Sequence, residues 1–131
     1  MSELASDDGM TVRRQVLGDA HVDRAVANTT EFTRPFQEYI TDAAWGAVWT
    51  RPGLDRRTRS CITLALLTAS HCHDELAMHV KAALRNGLTP EEIGEVLLHT
   101  GVYAGVPAAN AAFAVAQRTL AELGEPIARP E

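Results

Sequence analysis

Thr89-Pro90-Glu91-Glu92-Ile93-Gly94-Glu95-Val96-Leu97-Leu98 decides the fold class. A threonine cap, a proline at the first helical position and a glutamate three residues after the threonine form a capping box ahead of an apolar run. The helix they open is expected to reach about Tyr103. Toward the N-terminus, Gly87 is a C-terminal stop for a helix over 75–86, with Asp74 as its cap. The polar stretch Ser70–Asp74 separates it from a helix over 56–70, with Asp55 as N-cap. The apolar positions of that helix (Ile62, Leu64, Ala65, Leu66, Leu67, Ala69) lie nearly all round it, which places it centrally or at a subunit interface.

Further out, Gly105 and Pro107 separate the capped helix from a last one over 108–123. Pro-Gly at 52–53 marks a turn. Before it, Phe32, Phe36, Tyr39, Ile40 and Ala43 follow steps of three and four, one face of a helix capped by Thr30, with Pro35 in its first turn. Asp19 is the expected cap of a helix over 21–28, and 11–17 forms a short helix ending at Gly18. Residues 1–10 and 124–131 read as tails flanking a helical domain at 11–123. No strand alternation and no internal repeat appear, so the chain is expected to be all-α, with six or seven helices and short connections.

Composition agrees. The chain has 131 residues, 46% of them hydrophobic and 5% aromatic, which fits one helical domain with an alanine- and leucine-rich core. A formal net charge of −5 argues against nucleic acid, whose binders carry a basic footprint. No run approaches the ~20 apolar residues that span a bilayer. Residues 1–10 show no secretory pattern. The two cysteines, Cys61 and Cys72, fit neither a disulfide scaffold nor a zinc framework. A cytoplasmic protein with free thiols and no bound metal is expected.

Two clusters can carry chemistry. Arg51, Arg56, Arg57 and Arg59 sit just before and within the first turns of an apolar helix. Guanidinium forks bind carboxylates, and cations at a helix N-terminus oppose the macrodipole. Something must compensate: Asp55, an acid of another subunit or an anionic ligand. In the second cluster, His71, Cys72, His73, Glu75 and His79, the last two lie four apart on one helix face. A carboxylate beside an imidazole favours the protonated form and suits a proton donor. Trp45 and Trp49 share a spacing of four and supply core or pocket wall. Tyr103 offers a phenol to a site or a core hydrogen bond. Cys72-x-x-Glu75-x-x-x-His79 has the outline of a redox motif whose second cysteine is replaced by glutamate.

Taken together, Trp49 through Ser60, Glu75 through His79, Ala82 through Ile93, Tyr103 through Phe113, and the opening Val12-Arg13-Arg14 with Leu17 through Ala25 resemble the γ-carboxymuconolactone decarboxylases over roughly residues 10–123. The resemblance implies the all-α alkylhydroperoxidase D-like fold and a ring-shaped homo-oligomer, commonly a hexamer built from three dimers. It implies a carboxy-lyase without cofactor in the protocatechuate branch of the β-ketoadipate pathway, converting 4-carboxymuconolactone to 3-oxoadipate enol-lactone and carbon dioxide. On this reading His79, Glu75 and Arg57 are catalytic, while Arg51, Trp45 and Tyr103 bind the small acidic lactone. Ser70-His71-Cys72-His73 and Ala104 depart from the family pattern. The first of these leaves open a biosynthetic enzyme on the same scaffold acting on another lactone or β-keto acid. The competing readings are a thiol redox protein of this fold dependent on Cys72, which lacks a second nearby cysteine, and a non-catalytic helical oligomer with Arg57 and His79 in solvent or plain salt bridges.

Overall fold

The computed structural model describes residues 7–125 and 127. Among these residues there are seven α-helices and no strand: α1 (Asp7–Leu17), α2 (Asp19–Ala27), α3 (Arg34–Ile40), α4 (Arg56–Ala69), α5 (His73–Arg85), α6 (Pro90–Ala104) and α7 (Val106–Glu122). A π-helix, Thr41–Gly46, continues α3. The chain divides into two compact units, Met1–Arg56 and Arg57–Glu131.

In the first unit, α1 starts at Asp7, four residues before the expected Thr11, and takes in part of the expected tail. Asp8 in its first turn complements the helix dipole. The rest of that expected tail, residues 1–6, lies outside the described residues. Asp19 is not the cap of α2. Gly18 holds that position at φ 90°, and Asp19 sits in the first turn with a carboxylate 3.1 Å from Arg14. Arg14 also meets Asp23 at 2.9 Å, and these two acids raise its pKa. Thr30 does not cap α3 either. It closes a reciprocal turn with Thr33, donating its N–H to Thr33 Oγ1 at 2.9 Å and accepting from Thr33 N–H at 3.2 Å. Thr33 is then the N-cap, and Pro35 fits the first turn as expected. The core of this unit is Val12, Val16, Leu17, Val22 and Trp45, with Arg13 and Thr41 buried among the polar residues. Phe32, Phe36 and Tyr39, part of the apolar face read at steps of three and four, are exposed on this chain.

The second unit is built on an aliphatic core: Leu64 of α4, Leu76, Val80 and Ala83 of α5, Ile93 and Leu97 of α6, and Ala112, Val115, Ala116 and Leu120 of α7. α4 buries only Ser60, Leu64 and Thr68, while Ile62 and Leu66 are exposed, so the all-round apolar pattern does not put it at the centre of this chain. α5 begins at His73 after Cys72, two residues before the expected start, and Asp74 lies in its first turn instead of capping it. The chain turns between α4 and α5 through His71, whose φ of 57° is left-handed. α5 ends in a Schellman motif: Gly87 at φ 99°, with Gly87 N–H donating to Leu84 C=O and Leu88 N–H to Ala83 C=O. The capping box forms as expected, with Glu92 N–H donating to Thr89 Oγ1 at 3.1 Å and Thr89 N–H to Glu92 Oε1 at 2.9 Å. α6 and α7 meet at Gly101, where an added Cβ would stand 2.8 Å from the Cβ of Ala109. No described helix is long and apolar enough to cross a membrane. The expected tail 124–131 falls largely outside the described residues.

Candidate active site

α5 carries the imidazole of interest. Leu76, His79, Val80 and Ala83 recur at helical spacing and form its buried face, so His79 is 8% exposed because it shares a stripe with core aliphatics. Glu75, one turn earlier, is exposed. The two groups occupy neighbouring turns, one sealed and one wet. An imidazole in such a place is shielded from bulk water.

Arg57, in the first turn of α4, is half-exposed and clamped. Its Nη1 donates to Gly87 C=O and, at 3.3 Å, to Glu92 Oε1, and its Nη2 donates to Glu92 Oε2. Glu92 of α6 is an acid that compensates this cation. The same Glu92 closes the capping box, so one carboxylate ties the start of α4, the α5–α6 turn and the start of α6. The pairing pulls the Glu92 pKa below its ordinary value, with Arg57 the largest cause and the backbone of Thr89 the next. Asn86 adds a second tie across the same helices, donating from Nδ2 to Ser60 Oγ at 2.8 Å. Glu92 had a visible role in the sequence as a cap. Its role as a partner 35 residues from Arg57 had no local signal.

The other candidates divide between the two units. Trp45 is buried on the π-helix, with its ring centroid 5.2 Å from that of Trp49 and the planes at 33°. Arg51 is exposed in the turn that follows, its N–H donating to Val48 C=O at 3.0 Å. Tyr103 is 81% exposed near the end of α6, its ring 5.3 Å from that of His99. Cys61 and Cys72 are free thiols. A cavity of about 830 Å³ opens between α6 and α7, walled by Ile93, Leu97, Phe113, Leu120 and Ile127. None of the six candidate residues lines it, and among the described residues its charged groups are Glu91 and Glu125.

Residues 34–118 match the carboxymuconolactone decarboxylase family. The chain belongs to that family. The 4-carboxymuconolactone decarboxylase of Acinetobacter baylyi is 47% identical over 116 residues, 88% of this chain and 87% of the relative. The nitrosuccinic acid decarboxylase of Metarhizium robertsii is also 47% identical, over 89% of this chain and 82% of its own length. A 4-carboxymuconolactone decarboxylase of Pseudomonas putida is 58% identical over 40 residues, 30% of this chain and 83% of its own. Family membership carries the alkylhydroperoxidase D-like fold, which the seven helices express.

Proposed function

We propose that this family member is a cofactor-independent carboxy-lyase that converts 4-carboxymuconolactone to 3-oxoadipate enol-lactone and carbon dioxide, in the protocatechuate branch of the β-ketoadipate pathway. The observation that carries the reading is the 47% identity over 88% of the chain to an enzyme of that name, with a buried imidazole on α5 to serve the chemistry. The substrate holds its own electron sink. When the ring carbon–carboxylate bond breaks, the electron pair passes through the ring alkene onto the lactone oxygen, and a proton then adds at the carbon beside that carbonyl. The protein must hold the acetate arm, leave the departing carboxylate unneutralised, stabilise the oxyanion and supply one proton.

In this reading His79 delivers the proton or steadies the oxyanion, and Glu75 supports its charged form. Arg51 takes the acetate arm. Trp45 and Tyr103 wall the pocket. Arg57 contributes positive potential, but its fork is already occupied by Glu92, so it shapes the site more than it grips substrate. The exposed apolar side chains of α3 and α6, Tyr103 among them, are those a homo-oligomer would cover, and a hexamer built from three dimers and a cytoplasmic location are proposed.

A second reading is favoured by an equal identity to the nitrosuccinic acid decarboxylase. Nitrosuccinate also loses carbon dioxide to leave a carbanion spread onto oxygens, here those of a nitro group. The test is turnover of each acid by the purified protein with no added metal or nucleotide. The lactone should be consumed, and His79→Ala should slow it roughly 10²–10⁴-fold. Turnover of nitrosuccinate alone selects the second reading. No turnover of the lactone across neutral pH overturns the first.

A further inference from the structure

The first unit contains a buried cation that the proposed chemistry does not use. Arg13 of α1 is 5% exposed, and its hydrogen-bond partners are neutral. Nη1 donates to Thr41 Oγ1 at 3.1 Å and Nη2 to Gln37 Oε1 at 3.0 Å. Its Nε is buried with no hydrogen-bond partner among the described residues. Burial, and then the neighbouring charge of Arg14, lower its pKa, the direction expected of a cation placed in a dry site beside another cation. Burying a charge this way costs several kcal/mol, and an apolar side chain of similar volume is often the more stable choice. What such a group gives in return is registry, by fixing one arrangement among several.

The arrangement in question is visible at both of its bonds. Gln37 and Thr41 lie one turn apart, and Thr41 is the first residue of the π-helix. Thr41 Oγ1, while accepting from Arg13, donates to Gln37 C=O at 2.7 Å. A threonine bonding back in this way bends a helix. Nothing within Thr-Asp-Ala-Ala-Trp-Gly forbids an ordinary α-helix: there is no proline, and alanine is the strongest helix former. π turns are rare, short and concentrated at functional sites. The departure from α geometry therefore needs a tertiary cause, and the guanidinium of Arg13 lands on the residue where it starts. Trp45 is the buried aromatic of this π segment, and Trp49 N–H closes onto Ala44 C=O at 2.9 Å, five residues back.

We propose that Arg13 is a positioning residue that holds the α-to-π switch at Thr41 and so fixes where the π-helix presents Trp45 and its partner ring Trp49. The assignment of Arg13 rests on the first unit alone. Its consequence for turnover rests on Trp45 being a wall of the substrate pocket.

The test uses the full chain. Trp45 and Trp49 are the only tryptophans, so an exciton couplet in the far-ultraviolet circular dichroism reports their mutual geometry, and Trp45→Phe gives its zero. Arg13→Met keeps the volume and removes the donors. Expected are loss of at least half of the couplet and about tenfold faster amide exchange over 41–49, with a cooperative thermal transition retained. Arg13→Lys, with one point charge and no fork, should restore part of the couplet. If Arg13→Met does not fold, Thr41→Val removes its acceptor in an almost isosteric way and should show the same two changes. A folded Arg13→Met or Thr41→Val with couplet and exchange unchanged overturns the proposal. In the turnover assay, a positioning loss should lower kcat/KM for the lactone about tenfold to a hundredfold, partly restored in Arg13→Lys. Spectroscopic change without any turnover in the unaltered protein would sink the enzymatic reading and leave the role of Arg13 standing.

Discussion

Arg13 and Arg57, one in each unit, show two ways of using the same side chain. Arg13 is buried and donates to an amide oxygen and a hydroxyl. Arg57 is half-exposed and grips a carboxylate with both arms. The wet pair costs little to form and contributes little, because water competes for both partners. The dry cation is expensive and can be justified only by the single geometry it enforces. The units differ in the same sense around them. The second has a continuous aliphatic core across four helices, and the first has a small core with a polar bracket running through it.

The sharpest way to expose that difference is to remove packing in the second unit. Leu97 is fully buried on α6 among Leu64, Leu76, Val80 and Ile93. Leu97→Ala should cost about 2–5 kcal/mol in denaturant unfolding, from lost burial and the cavity left behind. Arg13 is predicted to behave otherwise. Arg13→Ala should cost about 1–3 kcal/mol, since it leaves a void beside two polar groups that have lost a partner. Arg13→Met fills the void but still strands those two acceptors, so it should cost less than Arg13→Ala, about 1 kcal/mol. A large stability loss in Arg13→Met, equal to that of Leu97→Ala, would mean that the bracket is structural mass and not a registry device.

How much of this was legible in the sequence follows from how local each cause is. The capping box at Thr89–Glu92 and the glycine stop at Gly87 were readable because proline, threonine and glycine act within four residues. So was the placing of Glu75 and His79 one turn apart on one helix, although nothing in that spacing showed His79 to be sealed and Glu75 wet. The caps expected at Asp19, Thr30 and Asp74 do not form, because a short polar side chain has several uses near a helix start. Asp19 found Arg14, and Thr30 found Thr33. The π-helix was invisible, since its cause sits 28 residues away at Arg13. The tie between Arg57 and Glu92 was equally invisible, because charge pairing across helices leaves no period to read.

A smaller effect is expected at the α4–α5 turn. His71 holds a φ of 57°, which a side chain with a Cβ adopts at a cost of roughly 1–2 kcal/mol and glycine adopts freely. His71→Gly relieves that strain but also loosens the unfolded chain, so the net gain should be at most ~1 kcal/mol, read as a raised denaturation midpoint. If the midpoint falls instead, the His71 ring, 6.2 Å from that of His73, contributes a contact worth more than the strain.

The smallest effect, and the one that isolates the wet arginine, is a pH dependence. Glu92 is held below its ordinary pKa of 4.5 by Arg57 and by the Thr89 backbone. Folded protein therefore binds fewer protons at this group than unfolded protein does. Its stabilising contribution is whole above the unfolded value and is lost as pH falls through the depressed folded value. Glu92→Gln keeps an oxygen for the Thr89 N–H, since glutamine also closes a capping box, and removes only the charge. The urea midpoints of the two proteins should differ slightly near neutral pH and converge as the solution is acidified below about pH 4.5. Added salt should shrink the neutral-pH gap, because both partners face water. A gap that stays constant from neutral to acid pH would show that Arg57 is held through Gly87 and not through its carboxylate partner. The contrast with Arg13 would then be one of burial alone.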